Sequence, residues 1–187
     1  MTIGYGDLRK GLPIEIDGNP YVVVEYERSK MQKRAPVMRI RFRSLKTGRV
    51  MSRTFQGYDV KLTPASVERR NAQYIYNDGT LYYFMDVENF EQFPLSKDKI
   101  GESIPYLVEE TVVEAVFHET EPIAIDLPMT VQLTVVESPP GFKGDTAQGG
   151  TKQVTLETGL SIQVPLFIES GETVKVNTRT GQYLERS

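Results

Sequence analysis

The 187-residue chain has no cysteine. That absence excludes disulfides, a thiolate nucleophile and any zinc or iron–sulfur centre held by thiolates, and it fits a reducing compartment. Histidine is nearly absent too: there is only His118, within "VFHETEP". A Ser-His-Asp triad would have to pass through it, and Glu119 and Glu121 do not strengthen that case; a half-exposed strand histidine is the expectation. A transition-metal site would have few ligands to draw on. No run approaches the roughly 18–20 apolar residues of a membrane span, and "MTIGYGDLRKGLP" lacks the basic-then-apolar order of a signal peptide. A cytoplasmic protein with no cofactor and no membrane contact is expected. The stretch "TAQGGTK" lacks the G-x-x-x-x-G-K-S/T spacing of a phosphate loop, and "GYGDLRKG" is not G-x-G-x-x-G. Both read as ordinary loops, and nothing points to an enzyme.

Acid is missing from one stretch in particular. From Arg28 to Arg53 there are ten basic residues and no Asp or Glu. The chain as a whole carries net −3, but residues 1–64 carry +7, residues 65–128 carry −9 and residues 129–187 carry −1. Segregation of this kind speaks about partners rather than fold, and the basic third calls for a polyanion. In "MRIRFRS" (38–44), Met38, Ile40 and Phe42 alternate with Arg39, Arg41 and Arg43. Period 2 puts the apolar set on one sheet face and the guanidinium groups on the other. A solvated outer face is the plain reading of such a strand. Unpaired cations repel one another, however, and phosphates relieve that repulsion, so Arg28, Arg39, Arg41 and Arg43 are candidates for RNA-backbone contact. Between two strands lies "SKMQKRAP" (29–36). It has no glycine for a two-residue primed turn, and Pro36 holds Ala35 extended. The expectation is a projecting hairpin tip carrying Lys30, Lys33 and Arg34; an exposed polar loop kept soluble by charge is the alternative.

The rest reads as β from end to end. "YVVVEYE" (21–27) is β-branched and aromatic. "LKTGRVMSRTF" (45–55) turns at Thr47–Gly48 into another strand, and "AQYIYNDGTLYYFMD" (72–86) is two strands around Asn-Asp-Gly, a strong hairpin signal. "EAVFHETEPIAIDLP", "TVQLTVVES", "SIQVPLFI" and "ETVKVNTRTGQYLER" supply further strands. Helix signals are few: "SKDKIG" (96–101) offers a turn or two, with Ser96 as N-cap and Gly101 as terminator, and Pro105 limits continuation. Short strands with frequent turn signals argue for barrels or sandwiches. Breaks near Thr63–Pro64 and Leu127–Pro128 suggest three pieces, 1–64, 65–128 and 129–187. Pieces so small are marginal alone, so at least one is expected to lean on a neighbour.

Over its full length the chain resembles bacterial elongation factor P. "YNDGTLYYFMDVENFEQF" (76–93) resembles the family's middle-domain hairpin. "PPGFKGDTAQGGTKQVTLETGLSIQVPLFIESGETVKVNTRTGQYLER" (139–186) resembles its C-terminal domain, including Lys152, Val164-Pro165 and Gly171. "DLRKGLPIEIDGNPYVVVEYE" (7–27) resembles its start. The resemblance implies an all-β protein of three small barrels in an elongated arrangement: an SH3-like, KOW-like domain, then two OB folds. It implies a monomer that binds the 70S ribosome, its rRNA and ribosomal proteins, between the P and E tRNA sites. There the factor would contact peptidyl-tRNA in the P site and stimulate peptide-bond formation when consecutive prolines stall synthesis. The ribosome, not this chain, makes the bond.

Carried over by position, the tip lysine directed at the peptidyl-transferase centre falls on Lys33, flanked by Lys30, Met31, Gln32 and Arg34. Gly144, Asp145, Thr146 and Ala147 match the family's domain 3 loop near exit-site mRNA, and Tyr183 and Arg186 match C-terminal residues that contact ribosome or tRNA. The resemblance also implies a lysine-modifying enzyme as a partner. The tip itself departs from the family's frequent Pro-Gly-Lys-Gly: Gln32 and Arg34 replace the flanking glycines, removing flexibility and adding a permanent cation with five donors. That favours an unmodified Lys33 that is still required. Two other readings stand beside this one: an elongation factor P-like paralogue with another target, and a general RNA-binding OB-barrel protein without translational specificity.

Overall fold

The structure, a computed structural model, describes residues 2–29, 35–141 and 149–187. Three five-stranded sheets account for it, and the chain divides into two compact units, residues 1–70 with 115–124 and residues 71–114 with 125–187.

The first sheet contains β1 (Pro13–Ile16), β2 (Asn19–Ser29), β3 (Val37–Ser44), β4 (Val50–Gln56) and the two-residue β5 (Thr63–Pro64), in the order β4-β3-β2-β1-β5. The alternation in β3 holds as the sequence predicts: Met38, Ile40 and Phe42 are 0 % exposed, while Arg39, Arg41 and Arg43 face solvent. Burying such a side chain stabilises the fold by roughly 1.5–3 kcal/mol, so the three together commit β3 to a single face. They pack with Ile14, Val23, Val60 and Leu62 in one core. The β3–β4 turn falls at Thr47–Gly48. The Gly48 φ of 72° suits glycine, its N–H donates to the Ser44 carbonyl at 2.9 Å, and the Thr47 N–H donates to Ser44 Oγ at 3.1 Å.

The second sheet contains β6 (Glu68–Asn77), β7 (Leu81–Asp86), β8 (Gln92–Ser96), β9 (Val112–His118) and β10 (Glu121–Asp126), in the order β10-β9-β6-β7-β8. The Asn-Asp-Gly hairpin forms between β6 and β7. Asp78 Oδ1 accepts the N–H groups of Thr80 and Leu81 at 2.9 and 2.8 Å, and those bonds hold its carboxyl below the usual carboxylate range. After β8, α1 (Lys97–Ile100) follows Ser96, whose side chain makes no capping bond. Gly101 does not terminate it: with φ −46° and ψ −44° it stays right-handed and leads into a 3₁₀ turn running to Tyr106. His118 is 3 % exposed, not half-exposed, because β9 buries Ala115, Val116, Phe117 and His118 in succession.

The third sheet contains β11 (Thr130–Glu137), β12 (Thr151–Leu156), β13 (Ser161–Pro165), β14 (Thr173–Asn177) and β15 (Tyr183–Arg186), in the order β13-β12-β11-β14-β15. Its core is aliphatic, centred on Leu133, Leu156, Val164, Ile168, Val174 and Val176, with Tyr106, Val108 and Tyr183 packed against it. Among the described residues no helix is long and apolar enough to cross a membrane.

Candidate nucleic-acid interface

The hairpin β2–β3 pairs antiparallel up to Ser29 opposite Val37, so residues 30–36 join the two strands. The tip residues Lys30, Met31, Gln32, Lys33 and Arg34 lie outside the described residues, as do Gly144, Asp145, Thr146 and Ala147 of the domain 3 loop.

Along β2 the register shifts between Val23 and Glu25. Before the shift Val23 is opposite Phe42 and points into the core; after it Glu25 is opposite Arg41, Tyr26 opposite Ile40 and Glu27 opposite Arg39. One extra residue, Val24, changes the parity of the strand. Glu25 and Glu27, which strict alternation from Val23 would send inward, instead share the outer face with the arginines. That corrects the expectation of cations without acidic partners. Arg41 Nη1 lies 3.1 Å from Glu25 Oε2, both side chains about half exposed. Arg39 and Arg43 form no ion pair among the described residues. Arg43 sits between Val22 and Val50 in register, and Arg39 between Glu27 and Thr54. On β4, Arg53 is opposite Ile40 and reaches Asp17 at 3.7 Å. The face is therefore a row of three guanidinium groups, one of them partly neutralised.

Arg28 is not part of that row. Its register partner is the buried Met38, and its guanidinium lies against the rings of Tyr5 and Tyr26. The sequence reading missed this aromatic company; the available signal was Tyr26 two residues before Arg28, on the same strand face.

In the third sheet Tyr183 and Arg186 behave differently from each other. Tyr183 is half-buried and packs on the aliphatic core, which leaves only part of its side chain for the contact the resemblance implies. Arg186 is exposed. Its Nη1 lies 3.1 Å from Glu172 Oε1, and its guanidinium is 6.0 Å from the Phe167 ring centroid. Glu172 is held below the usual carboxylate range first by the Glu169 N–H, which donates to it, and then by Arg186. Glu185 is likewise lowered by Lys175, whose Nζ is 2.6 Å away.

Small β barrels with a basic outward face belong to a class that binds nucleic acid, and sequence comparison narrows that class. Elongation factor P models match in three parts: the KOW-like domain over residues 5–60, the OB domain over 67–125 and the C-terminal domain over 131–186. An elongation factor P from Moorella thermoacetica is 49 % identical over 185 residues, covering 99 % of this chain and 100 % of that one. Another, from Thermoanaerobacter sp. (strain X514), is 48 % identical over 184 residues, covering 98 % and 99 %. Among solved structures, eukaryotic translation initiation factor 5A from Methanococcus jannaschii aligns with a TM-score of 0.50 at 21 % identity, covering 68 % of this chain and 94 % of that one; this likeness concerns the fold. The chain belongs to the elongation factor P family and is a translation elongation factor.

Proposed function

We propose that this elongation factor acts on the ribosome between the P and E tRNA sites and relieves stalling at consecutive prolines. Its three modules would be residues 1–64, 65–128 and 129–187, with Lys33 directed at the peptidyl-transferase centre. The observation that carries this reading is the outward row Arg39, Arg41 and Arg43 on the strand that follows residues 30–36, in a chain of this family. A row of cations beside the segment that carries Lys33 suits a factor that grips RNA backbone and extends a tip beyond it. Aligning a nascent chain that ends in proline is a problem of too many conformations. Restraining the peptidyl-tRNA reduces the number sampled before attack, and the factor needs no catalytic side chain of its own. Gly144, Asp145, Thr146, Ala147 and Arg186 would contact mRNA, tRNA or ribosome at the other end of the chain. Tyr183 would position that surface from the core side.

Reconstituted translation of a message encoding consecutive prolines tests this. The protein should restore full-length product. The Lys33→Ala variant should cosediment with 70S ribosomes but fail to restore it, because one charge among ten contributes little to total affinity. Intact mass of protein from its native host should match the sequence, allowing for loss of the initiator methionine. No restoration by the parent protein would overturn the reading; added mass on Lys33 would show that a modifying enzyme acts after all.

A further inference from the structure

Two tyrosines flank one arginine at the far end of β2, and a third joins through one of them. The Arg28 guanidinium carbon lies 4.6 Å from the Tyr5 ring centroid and 5.7 Å from that of Tyr26. Tyr58 meets Tyr5 edge to face, with centroids 5.0 Å apart and planes at 78°. Tyr5 and Tyr26 also pack on the core of the first sheet, which fixes them. Tyr58 is 65 % exposed. Its place is set by the backbone: the preceding Gly57 has φ +69°, and its N–H donates to the Pro36 carbonyl at 2.6 Å, one residue before β3.

A guanidinium stacked on a ring is immobilised by its face while its five N–H groups point outward in its plane. Among the described residues those of Arg28 meet no carboxylate and no carbonyl. Arg28 is thus held against Tyr5 and Tyr26 with its donors unengaged among the described residues, and Tyr5 in turn touches Tyr58, which is largely exposed. Of the carboxylates close in sequence to Tyr58 and Tyr5, Asp59 lies 3.4 Å from Lys61 Nζ, and Asp7 Oδ2 accepts the Gly4 N–H at 3.2 Å. An aromatic face next to a pre-set donor fork, in a part of the chain with net charge +7, suits one kind of ligand. Unpaired nucleotides present π faces for stacking and phosphates for the fork, whereas a duplex hides its base faces.

We infer that Tyr58, Tyr5 and Arg28 form a stacking site for unpaired RNA nucleotides, a base lying on the open face of Tyr58 and a phosphate or base-edge acceptor on the Arg28 fork. The inference rests on the reading that this factor works on RNA, and it specifies single strands and stacking at a site separate from the Arg39, Arg41 and Arg43 row.

The test is fluorescence anisotropy with a labelled single-stranded adenosine octanucleotide and, in parallel, an RNA duplex of the same length. Tyr58→Ala should weaken octanucleotide binding by about tenfold or more, as expected for loss of one base–aromatic stack, without changing duplex binding, the salt slope or the thermal midpoint. Tyr58→Leu, which fills similar space without a π face, should lose as much. Tyr58→Phe should bind like the parent. Arg28→Lys should weaken binding although the charge is kept. Parent-like binding by Tyr58→Ala or Tyr58→Leu overturns the inference, as does a parent protein that prefers the duplex. Ribosome cosedimentation of the parent separates the two levels. If it associates with ribosomes but its octanucleotide binding ignores Tyr58, only this site is refuted; if it does not associate, the proposed function itself has failed.

Discussion

Removing a negative charge from the first sheet should strengthen RNA binding while slightly weakening the fold, and Glu25→Gln is the substitution that shows it. Glu25 Oε2 lies 3.1 Å from Arg41 Nη1, with side chains 42 % and 50 % exposed. An ion pair that open to water stabilises a protein by about 0.2–1 kcal/mol, so the thermal midpoint should fall by a few degrees at most. For RNA the sign reverses. A phosphate approaching Arg41 must displace Glu25 and is repelled by its carboxylate. At separations of about 4–7 Å in water that repulsion is about 0.6–1 kcal/mol, or about three- to fivefold in affinity at low salt, shrinking as salt rises. Freeing Arg41 should also add up to about 0.7 to the magnitude of the log–log salt slope, the increment for one single-strand phosphate contact. Changing Arg39, Arg41 and Arg43 together to Gln should lower that slope by up to about 2. Filter binding or anisotropy across a salt series measures both. If Glu25→Gln binds RNA with the parent's affinity and slope, or more weakly, Arg41 does not touch phosphate and the arginine row is a solvated face.

The C-terminal pair should separate cleanly. Tyr183→Ala removes a half-buried ring from the aliphatic core and should cost about 2 kcal/mol, roughly half the loss from truncating a fully buried aromatic. Arg186→Ala should cost less than about 1 kcal/mol and reduce ribosome association instead; urea melts and cosedimentation together decide, and equal destabilisation by both would contradict the assignment. Acid should also weaken the third sheet's fold. Glu172 and Glu185 both titrate below their ordinary value, so their stabilisation is fully present above that value and is lost as pH falls through the depressed folded-state values. Replacing both with Gln should flatten the acid limb of stability against pH; an unchanged limb would assign it to other carboxylates.

What the sequence made legible was local. Met38, Ile40 and Phe42 alternating with arginine specify a strand and its buried face without help from any other segment, and Asn77-Asp78-Gly79 specifies its own hairpin. What stayed hidden depended on partners distant in sequence. Strict alternation from Val23 would turn Glu25 and Glu27 inward, because a strand's period says nothing about an inserted Val24; only pairing with β3 reveals the change of parity. Gly101 is a good helix terminator by type, yet it remains right-handed where the chain passes into the 3₁₀ turn ending at Tyr106. His118 closes a strand segment covered on both faces, which polar neighbours in sequence could not announce. Tyr5, Arg28 and Tyr58 come from three separate segments, so their cluster exists only in the folded sheet. Of the candidate site, the arginine row could be read directly from the sequence, whereas its neutralising glutamate could not.

The extra residue at Val24 has a consequence for how the hairpin arm can vary in length. Each residue added to or removed from β2 alone exchanges the faces of the residues after it; one added between Val24 and Glu25 would send Glu25 and Glu27 inward and lift Tyr26 into water. Only paired changes preserve which side is wet. At roughly 3.4 Å per residue, the length of the paired arm that ends at Ser29 and Val37 is therefore adjustable in steps of about 7 Å and not continuously. An insertion of one residue between Val24 and Glu25 should behave as a folding defect, and a deletion of two residues between Tyr26 and Ser29, matched on β3, as a shorter but intact arm.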